Sequence, residues 1–218
     1  REILSELSGL SVNHTTQTHT AKIIFGDDRK PQGQFVYTDL SEEFPGYVFD
    51  GVASYYKGEL TGEGGYVYAE PGIYENVAVL DVASMHPTSI ERLNLFGPFT
   101  SRFVDLKSAR MAIKHNDLEA AGSLLDGKLT PFIGGTKEEL DSLSYALKIV
   151  INTVYGLTSA RFDNPFRDYR NKDNIVAKRG ALFMIDLKEA VQDKGFQVVH
   201  IKTDSIKIPN ATSDIIQF

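Results

Sequence analysis

Cysteine is absent from the 218 residues, which excludes disulfides and thiolate zinc sites; any metal must sit on carboxylates or histidines. The absence fits a reducing compartment. There is no apolar run of ~18 residues, and the start REILSELSGL lacks a basic patch followed by an apolar core. Neither a transmembrane helix nor a signal peptide is expected, and the expectation is a soluble protein with no membrane partner. Proline and glycine are moderate, at 8 and 18, and 42% of residues are hydrophobic. Disorder, collagen and low complexity are thereby excluded, and the length suffices for a real core in one or two domains. No internal repeat is visible. An excess of basic charge is lacking too: the net charge of −6 argues at first against a nucleic-acid partner. The sum hides an asymmetry. Residues 1–147 carry 12 basic and 21 acidic side chains, whereas 148–218 carry 11 and 8. Arg161, Arg167, Arg170, Lys172, Lys178 and Arg179 lie close together there, a segment suited to phosphates. The chain begins with Arg1 and ends on Ile215-Ile216-Gln217-Phe218 without a polar tail, so it reads as a piece of a longer protein.

Short β-prone runs at Ala21–Phe25, Gln34–Tyr37 and Tyr66–Tyr68, separated by Gly, Pro and Asp clusters, make residues 1–80 a region of strands and loops. The stretch GELTGEGG at 58–65 is a flexible linker on composition alone, with Gly64-Gly65 permitting backbone shapes closed to other residues. The run NVAVL at 76–80 predicts a buried strand ending at Asp81, and Pro87 sits where a helix can begin. Helices are predicted over 108–125 and 137–157, the second with Leu140, Leu143, Leu147, Val150, Ile151, Val154 and Tyr155 in a 3.6-residue stripe. The turn between them holds Pro131 and Gly134-Gly135, and the two helices are expected to form an antiparallel hairpin. A third helix spans 174–194 and closes on Gly195. Residues 197–209 alternate apolar and polar around Thr203-Asp204-Ser205, the pattern of a β-hairpin with a polar tip.

Two carboxylates stand out, Asp81 at a strand end and Asp204 at a hairpin tip, each flanked by strands stiff enough to hold it. Hard Mg²⁺ takes a few carboxylate oxygens plus water and substrate phosphates, and two such ions can activate an attacking oxygen and stabilise a leaving pyrophosphate. On their own, two distant aspartates are far more often turn or capping residues.

Their surroundings favour the first account. Asp81-Val82-Ala83-Ser84-Met85-His86-Pro87-Thr88-Ser89 resembles the D-x-x-S-L-Y-P-S-I motif of the family B (alpha-like) DNA polymerases, in particular the small phage-type members. Lys148, Asn152, Thr153, Tyr155 and Gly156 match K-x-x-x-N-S-x-Y-G, and His200-Ile201-Lys202-Thr203-Asp204-Ser205 partly matches Y-G-D-T-D-S. The three occur in the family's order within residues 60–210. Gly64-Gly65-Tyr66 resembles the short glycine motif joining the exonuclease and polymerase regions, and Lys178-Arg179-Gly180 sits where the family carries a G-R pair.

The resemblance implies an α+β fold: a palm with an antiparallel sheet and packed helices, plus a short two-helix fingers hairpin. The implied division is an N-terminal strand and loop region with linker at 1–70, palm at 71–105 and 158–218, and fingers at 106–157. It implies a DNA-directed DNA polymerase transferring nucleotides from dNTP to a primer 3′-hydroxyl on primer–template DNA. Two Mg²⁺ ions, with Mn²⁺ as a substitute, would sit on Asp81, the Val82 carbonyl and Asp204, the two aspartates being catalytic. Ser84 and Met85 amides would meet the triphosphate, His86 the sugar, Lys148 the phosphates, and Asn152 and Tyr155 the nascent base pair. Lys148, Ile151, Asn152 and Tyr155 share one helix face by spacing. Arg110 and Lys114 either supplement the phosphate grip or are solvated helix charges.

Departures are specific. His86 replaces a tyrosine that closes off a ribose 2′-hydroxyl, which puts sugar discrimination in doubt, and a surface histidine with no role is the alternative. Lys202 replaces the first acid of the third motif, so it either weakens metal binding by repulsion or contacts primer phosphate or pyrophosphate. His200 replaces an aromatic residue and is expected to be structural. A thumb and terminal lysine segment do not fit in the 13 residues after Ser205, and 1–57 holds no D-x-E exonuclease signature. The expected partners are therefore DNA, dNTP and the missing thumb and exonuclease regions of a longer polymerase, in the cytoplasm of a bacterial host. The alternatives are a catalytically inactive nucleotide- or template-binding fragment and a metal-dependent nuclease.

Overall fold

A helix cap decides the first departure from the sequence reading. In the computed structural model, which describes residues 1–218, the N-terminal segment is helical. Helix α1 (Glu2–Ser8) closes on left-handed Gly9, and α2 (Thr16–Phe25) opens on Thr15, whose hydroxyl accepts from the Thr18 amide. Ala21–Phe25, expected as a strand, is the last part of α2. Five residues hold too little periodicity to separate helix from strand, and the Thr15 cap, together with burial of Ile24 and Phe25, selects the helix. Gln34–Tyr37 likewise forms no strand: a 3-10 turn over Pro31–Gln34 ends there.

The chain continues through α3 (Leu40–Glu43), strands β1 (Val48–Phe49), β2 (Ser54–Tyr56), β3 (Glu59–Leu60), β4 (Val67–Ala69) and β5 (Val77–Asp81), and helix α4 (Met85–Arg92). Helices α5 (Thr100–Lys114), α6 (Leu118–Ser123), α7 (Thr130–Ile133), α8 (Lys137–Thr158) and α9 (Ile175–Asp193) follow, then β6 (His200–Lys202), β7 (Ser205–Pro209) and α10 (Ser213–Gln217). The class is α+β with antiparallel sheets, as expected. No helix is long and apolar enough to cross a membrane.

Two compact units emerge, one from residues 1–37 and 90–170, the other from 38–89 and 171–218. The first is helical, with α5 packed on α8 and α2 against both. The helix expected over 108–125 is two helices: α5 starts eight residues earlier and stops at His115, and Asp117 then caps α6 by accepting from the Ala120 amide. Asn116, at φ 58, supplies the left-handed step between them. Helix α8 matches its expected span and opens on a capping box between Thr136 and Glu139. Its inward stripe of Leu143, Leu147, Val150, Ile151 and Val154 is buried. Phe25, Phe35, Phe96, Phe103 and Phe166 fill the centre of this unit, with ring centroids 4.9 to 6.1 Å apart.

The second unit holds both sheets. One is the three-stranded meander β1-β2-β3; the other has the order β4-β6-β7-β5, antiparallel throughout. Leu80, Ile201, Ile206 and Ile208 project to one face of the larger sheet, and Leu187 and Val191 of α9 line the same apolar pocket as Leu80, Ile206 and Ile208. The opposite face is open, with Asp81, Lys202, Val79 and Val67 exposed along it.

Candidate active site

The period-two alternation of strands sets which side chains share the open face. Val67 pairs with Lys202, Lys202 with Ser205, and Ser205 with Asp81, so these four residues form one row across the sheet. One step further along, His200 pairs with Lys207 and Lys207 with Val79. Asp81 therefore lies at the end of β5 with the β6–β7 turn beside it, and the Val82 amide donates to the Asp204 carbonyl at 2.8 Å. The two aspartates, 123 positions apart in sequence, stand at adjacent strand ends, and both are exposed.

The turn after Asp81 is sharp. Ser84 takes a left-handed φ of 54 and its carbonyl accepts from the Thr88 amide, so α4 starts at Met85 with Pro87 in its first turn, where a proline costs nothing. Met85 is buried against α9, where a Cβ on Gly180 would lie 2.6 Å from the Met85 sulfur. That close approach explains the glycine at 180. It also fixes where the first turn of α4, with its free amides, begins.

Thr203 and Asp204 form the two-residue loop between β6 and β7, with Thr203 at φ 58. A β-branched residue is uncommon in that region, and here the Thr203 amide donates to the Tyr66 carbonyl at 2.9 Å. Gly64 and Gly65 have no positive φ; their expected conformational licence is unused. Gly65 is required for space instead. A Cβ there would meet Thr203 at 2.5 to 2.8 Å, including its own Cβ, which cannot swing away. Within this stretch Gly65 is therefore packed against the Asp204 hairpin, whereas Gly58 and Gly64 have open space where a Cβ would stand. Gly65→Ala is expected to push the hairpin tip off its position and to weaken amide-exchange protection at Thr203 about tenfold or more. Unchanged protection would show that the turn does not lean on residue 65.

Burial lowers the His86 pKa, while the negative charge of Asp204 acts in the opposite direction, and the net shift is downward. The imidazole is neutral near pH 7 and lies within electrostatic reach of the carboxylate. Lys178, deeply buried on α9, is also shifted down by burial, opposed by Asp173 and Glu63. Part of the basic segment 161–179 is engaged within the protein, although Arg170 keeps an exposed side chain. Arg170 is bound to Asp168, Arg179 to Glu43, and Arg167 donates to the Arg161 carbonyl. Arg161 and Lys172 are exposed. Sequence alone does not show which of these cations have acids beside them.

Lys148, Asn152 and Tyr155 belong to α8 in the other unit; the first two are exposed and Tyr155 is half-buried. Ile151, expected on their face, is buried with the core stripe. Arg110 is half-buried with Nε lacking a hydrogen-bond partner, while Lys114 is exposed. His200 is half-buried on the sheet. The structure thus brings Asp81, Val82, Ser84, Met85, His86 and Asp204 together in one unit. Lys207, also on the open face, has no signal in the sequence; the strand register reveals it and places Ser205 of the third motif beside Asp81.

No cluster of three or more His, Asp or Glu side chains that could hold a metal ion occurs. The donor set is a pair of exposed carboxylates, which suits a hard divalent ion that keeps several waters and takes further oxygens from a phosphate substrate.

In fold, the chain is similar to the family B DNA polymerase from the hyperthermophilic archaeon Pyrobaculum calidifontis, with a TM-score of 0.53 over 99% of this chain and 29% of that one, at 16% identity. In sequence, it is similar to DNA polymerase II of Escherichia coli (strain K12), 31% identical over 160 residues, which is 65% of this chain and 19% of that protein. No family model matches the chain. The resemblance to family B DNA polymerases is therefore found both in sequence and in fold, and the chain spans about a fifth of the curated relative it matches.

Proposed function

We propose that this chain is the palm and fingers part of a family B DNA-directed DNA polymerase. The observation that carries the reading is the adjacency of Asp81 and Asp204, locked by the Val82 amide on the Asp204 carbonyl at the open edge of the sheet. In this reading the sheet unit with α9 is palm and α8 belongs to the fingers. Only 67 positions separate Asp81 from Lys148, which supports the compact phage type and hence a bacterial cytoplasm.

Asp81, the Val82 carbonyl and Asp204 would hold the divalent ions, Mg²⁺ with Mn²⁺ as a substitute. Bound there, the metal supplies activation of the primer 3′-hydroxyl and charge stabilisation on the leaving pyrophosphate. The first turn of α4, at Ser84 and Met85, presents backbone amides suited to triphosphate oxygens. His86 would sit beside the sugar; its neutral imidazole is smaller than a phenol and excludes a 2′-hydroxyl less well. Lys148 would neutralise phosphate charge, and Asn152 and Tyr155 would flank the base pair.

Calcium supports binding with little turnover and separates assembly from chemistry. Titrating a fluorescent dNTP with and without Ca²⁺ is expected to give Ca²⁺-dependent binding that Lys148→Ala weakens about tenfold, the loss of one charge-assisted contact. Binding that ignores both Ca²⁺ and Lys148 would sink the proposal, and binding that needs Ca²⁺ but not Lys148 would favour a metal-dependent nuclease.

Lys202 favours a second reading, a nucleotide- or template-binding fragment without catalysis. It stands in the same row as Asp81, two strand spacings or about 10 Å away, so its charge acts on the ion through roughly one Debye length. If repulsion dominates, Lys202→Ala and Lys202→Asp both tighten Ca²⁺ use. If Lys202 grips phosphate, Lys202→Ala weakens dNTP or primer binding instead.

A further inference from the structure

Lys188 is a buried ammonium that the reading above does not use. It projects from α9 with its side chain 8% exposed. Its Nζ donates to Glu59 Oε1 at 2.5 Å and to the Tyr66 hydroxyl at 2.9 Å, and lies 4.6 Å from the centroid of the Tyr68 ring. The Tyr66 hydroxyl in turn donates to the other Glu59 oxygen, closing a three-membered network. Burial works to raise the Glu59 carboxyl, but Lys188 and Tyr66 outweigh it and hold the pKa below the usual carboxylate range. A buried ion pair contributes little net stability compared with well-packed apolar side chains, because desolvation consumes most of the Coulomb gain. What such a network does supply is a fixed geometry.

The geometry it fixes is that of Tyr66. At one end its hydroxyl is clamped to α9; at the other its carbonyl accepts the Thr203 amide at 2.9 Å. The flanking residues make the same contact: Gly65 abuts Thr203, and Val67 pairs with Lys202. The β6–β7 tip is thus held from two sides, by the Val82 amide on Asp204 and by the Tyr66 carbonyl on Thr203. We propose that Lys188 is a positioning residue for the Asp204 hairpin, acting through Glu59 and Tyr66 to hold the Thr203-Asp204 turn in metal-binding register. The part concerning metal rests on the proposed function. The part concerning the turn does not. A register slip of one residue would send Lys202 and Ser205 to the opposite face, so a clamp at this turn has a specific task.

The test uses the full chain with Lys188→Met, which keeps the length of the side chain and removes the charge, and Lys188→Arg, which keeps donors. Amide hydrogen exchange at Thr203 is compared with Ile206 and Ile208 in the β5–β7 ladder, and Mn²⁺ binding is followed by electron paramagnetic resonance. Lys188→Met is expected to lower protection at Thr203 about tenfold while Ile206 and Ile208 keep theirs, and to weaken Mn²⁺ about tenfold, the usual size of an outer-shell effect. Lys188→Arg restores most of both. If Lys188→Met does not fold, Tyr66→Phe removes only the hydroxyl and reads out at the same amide. Unchanged protection at Thr203, or an equal loss across the ladder, overturns the proposal. Should the unsubstituted chain bind no Mn²⁺, or bind it independently of Asp204, the metal reading fails, and Thr203 exchange still decides the positioning role.

Discussion

Asp81→Asn and Asp204→Asn are each expected, under the proposed function, to remove Ca²⁺-dependent dNTP binding. Under that proposed function, each is also expected to lower nucleotidyl transfer by a protein containing this chain by about three powers of ten or more. The size follows from the chemistry: an ion that stabilises several kcal/mol of developing charge is lost with its carboxylate, and each 1.36 kcal/mol is a factor of ten. Asparagine preserves shape, and both positions are exposed, so folding should change by less than about 0.5 kcal/mol. The pair of measurements is decisive because the two effects separate. A variant that keeps its unfolding midpoint and loses Ca²⁺-dependent binding locates the metal at that carboxylate. If either variant binds Ca²⁺ and dNTP as the parent does, that residue is not a ligand and the site lies elsewhere.

Phe96→Ala is expected to destabilise the helical unit by about 3–5 kcal/mol. Phe96 is fully buried, with the rings of Phe25, Phe35, Phe103 and Phe166 at 5.7, 5.2, 6.1 and 5.8 Å. Truncating a buried phenylalanine costs about 3–5 kcal/mol, a large share of the roughly 5–15 kcal/mol that holds a domain together. Phe96→Leu keeps most of the volume and should cost about 1.5 kcal/mol. Denaturant unfolding read at helical and sheet signals would show the loss. A cost under about 1 kcal/mol for Phe96→Ala would mean the cavity collapses and the aromatic cluster is not the unit's centre.

The local geometry around the candidate site was legible along the chain because short motifs encode it. Asp81 after a run of apolar residues, a proline six positions on, and alternation around Thr203-Asp204 each specify a strand end, a helix start and a hairpin. The α8 stripe was equally readable, since 22 residues of 3.6-period pattern leave little ambiguity. The end of α2 reads as a strand because residues 21–25, four of them apolar, fit both periods. The α5–α6 break was missed because a single left-handed residue, Asn116, interrupts an otherwise helical composition.

Sequence by itself determined which residue types stand at which strand ends, and hence the family resemblance and the carboxylate pair. Tertiary structure alone decided what those residues touch. Gly65 and Gly180 are explained by the side chains that occupy the space a Cβ would need, Thr203 and Met85, far away in sequence. Arg170 and Arg179 of the basic segment gained Asp168 and Glu43, and the buried Lys188 gained Glu59 from 129 positions away. Charge and hydropathy are local sums along the chain, whereas pairing and close approach depend on register and packing between elements, and these exist only once the chain has folded.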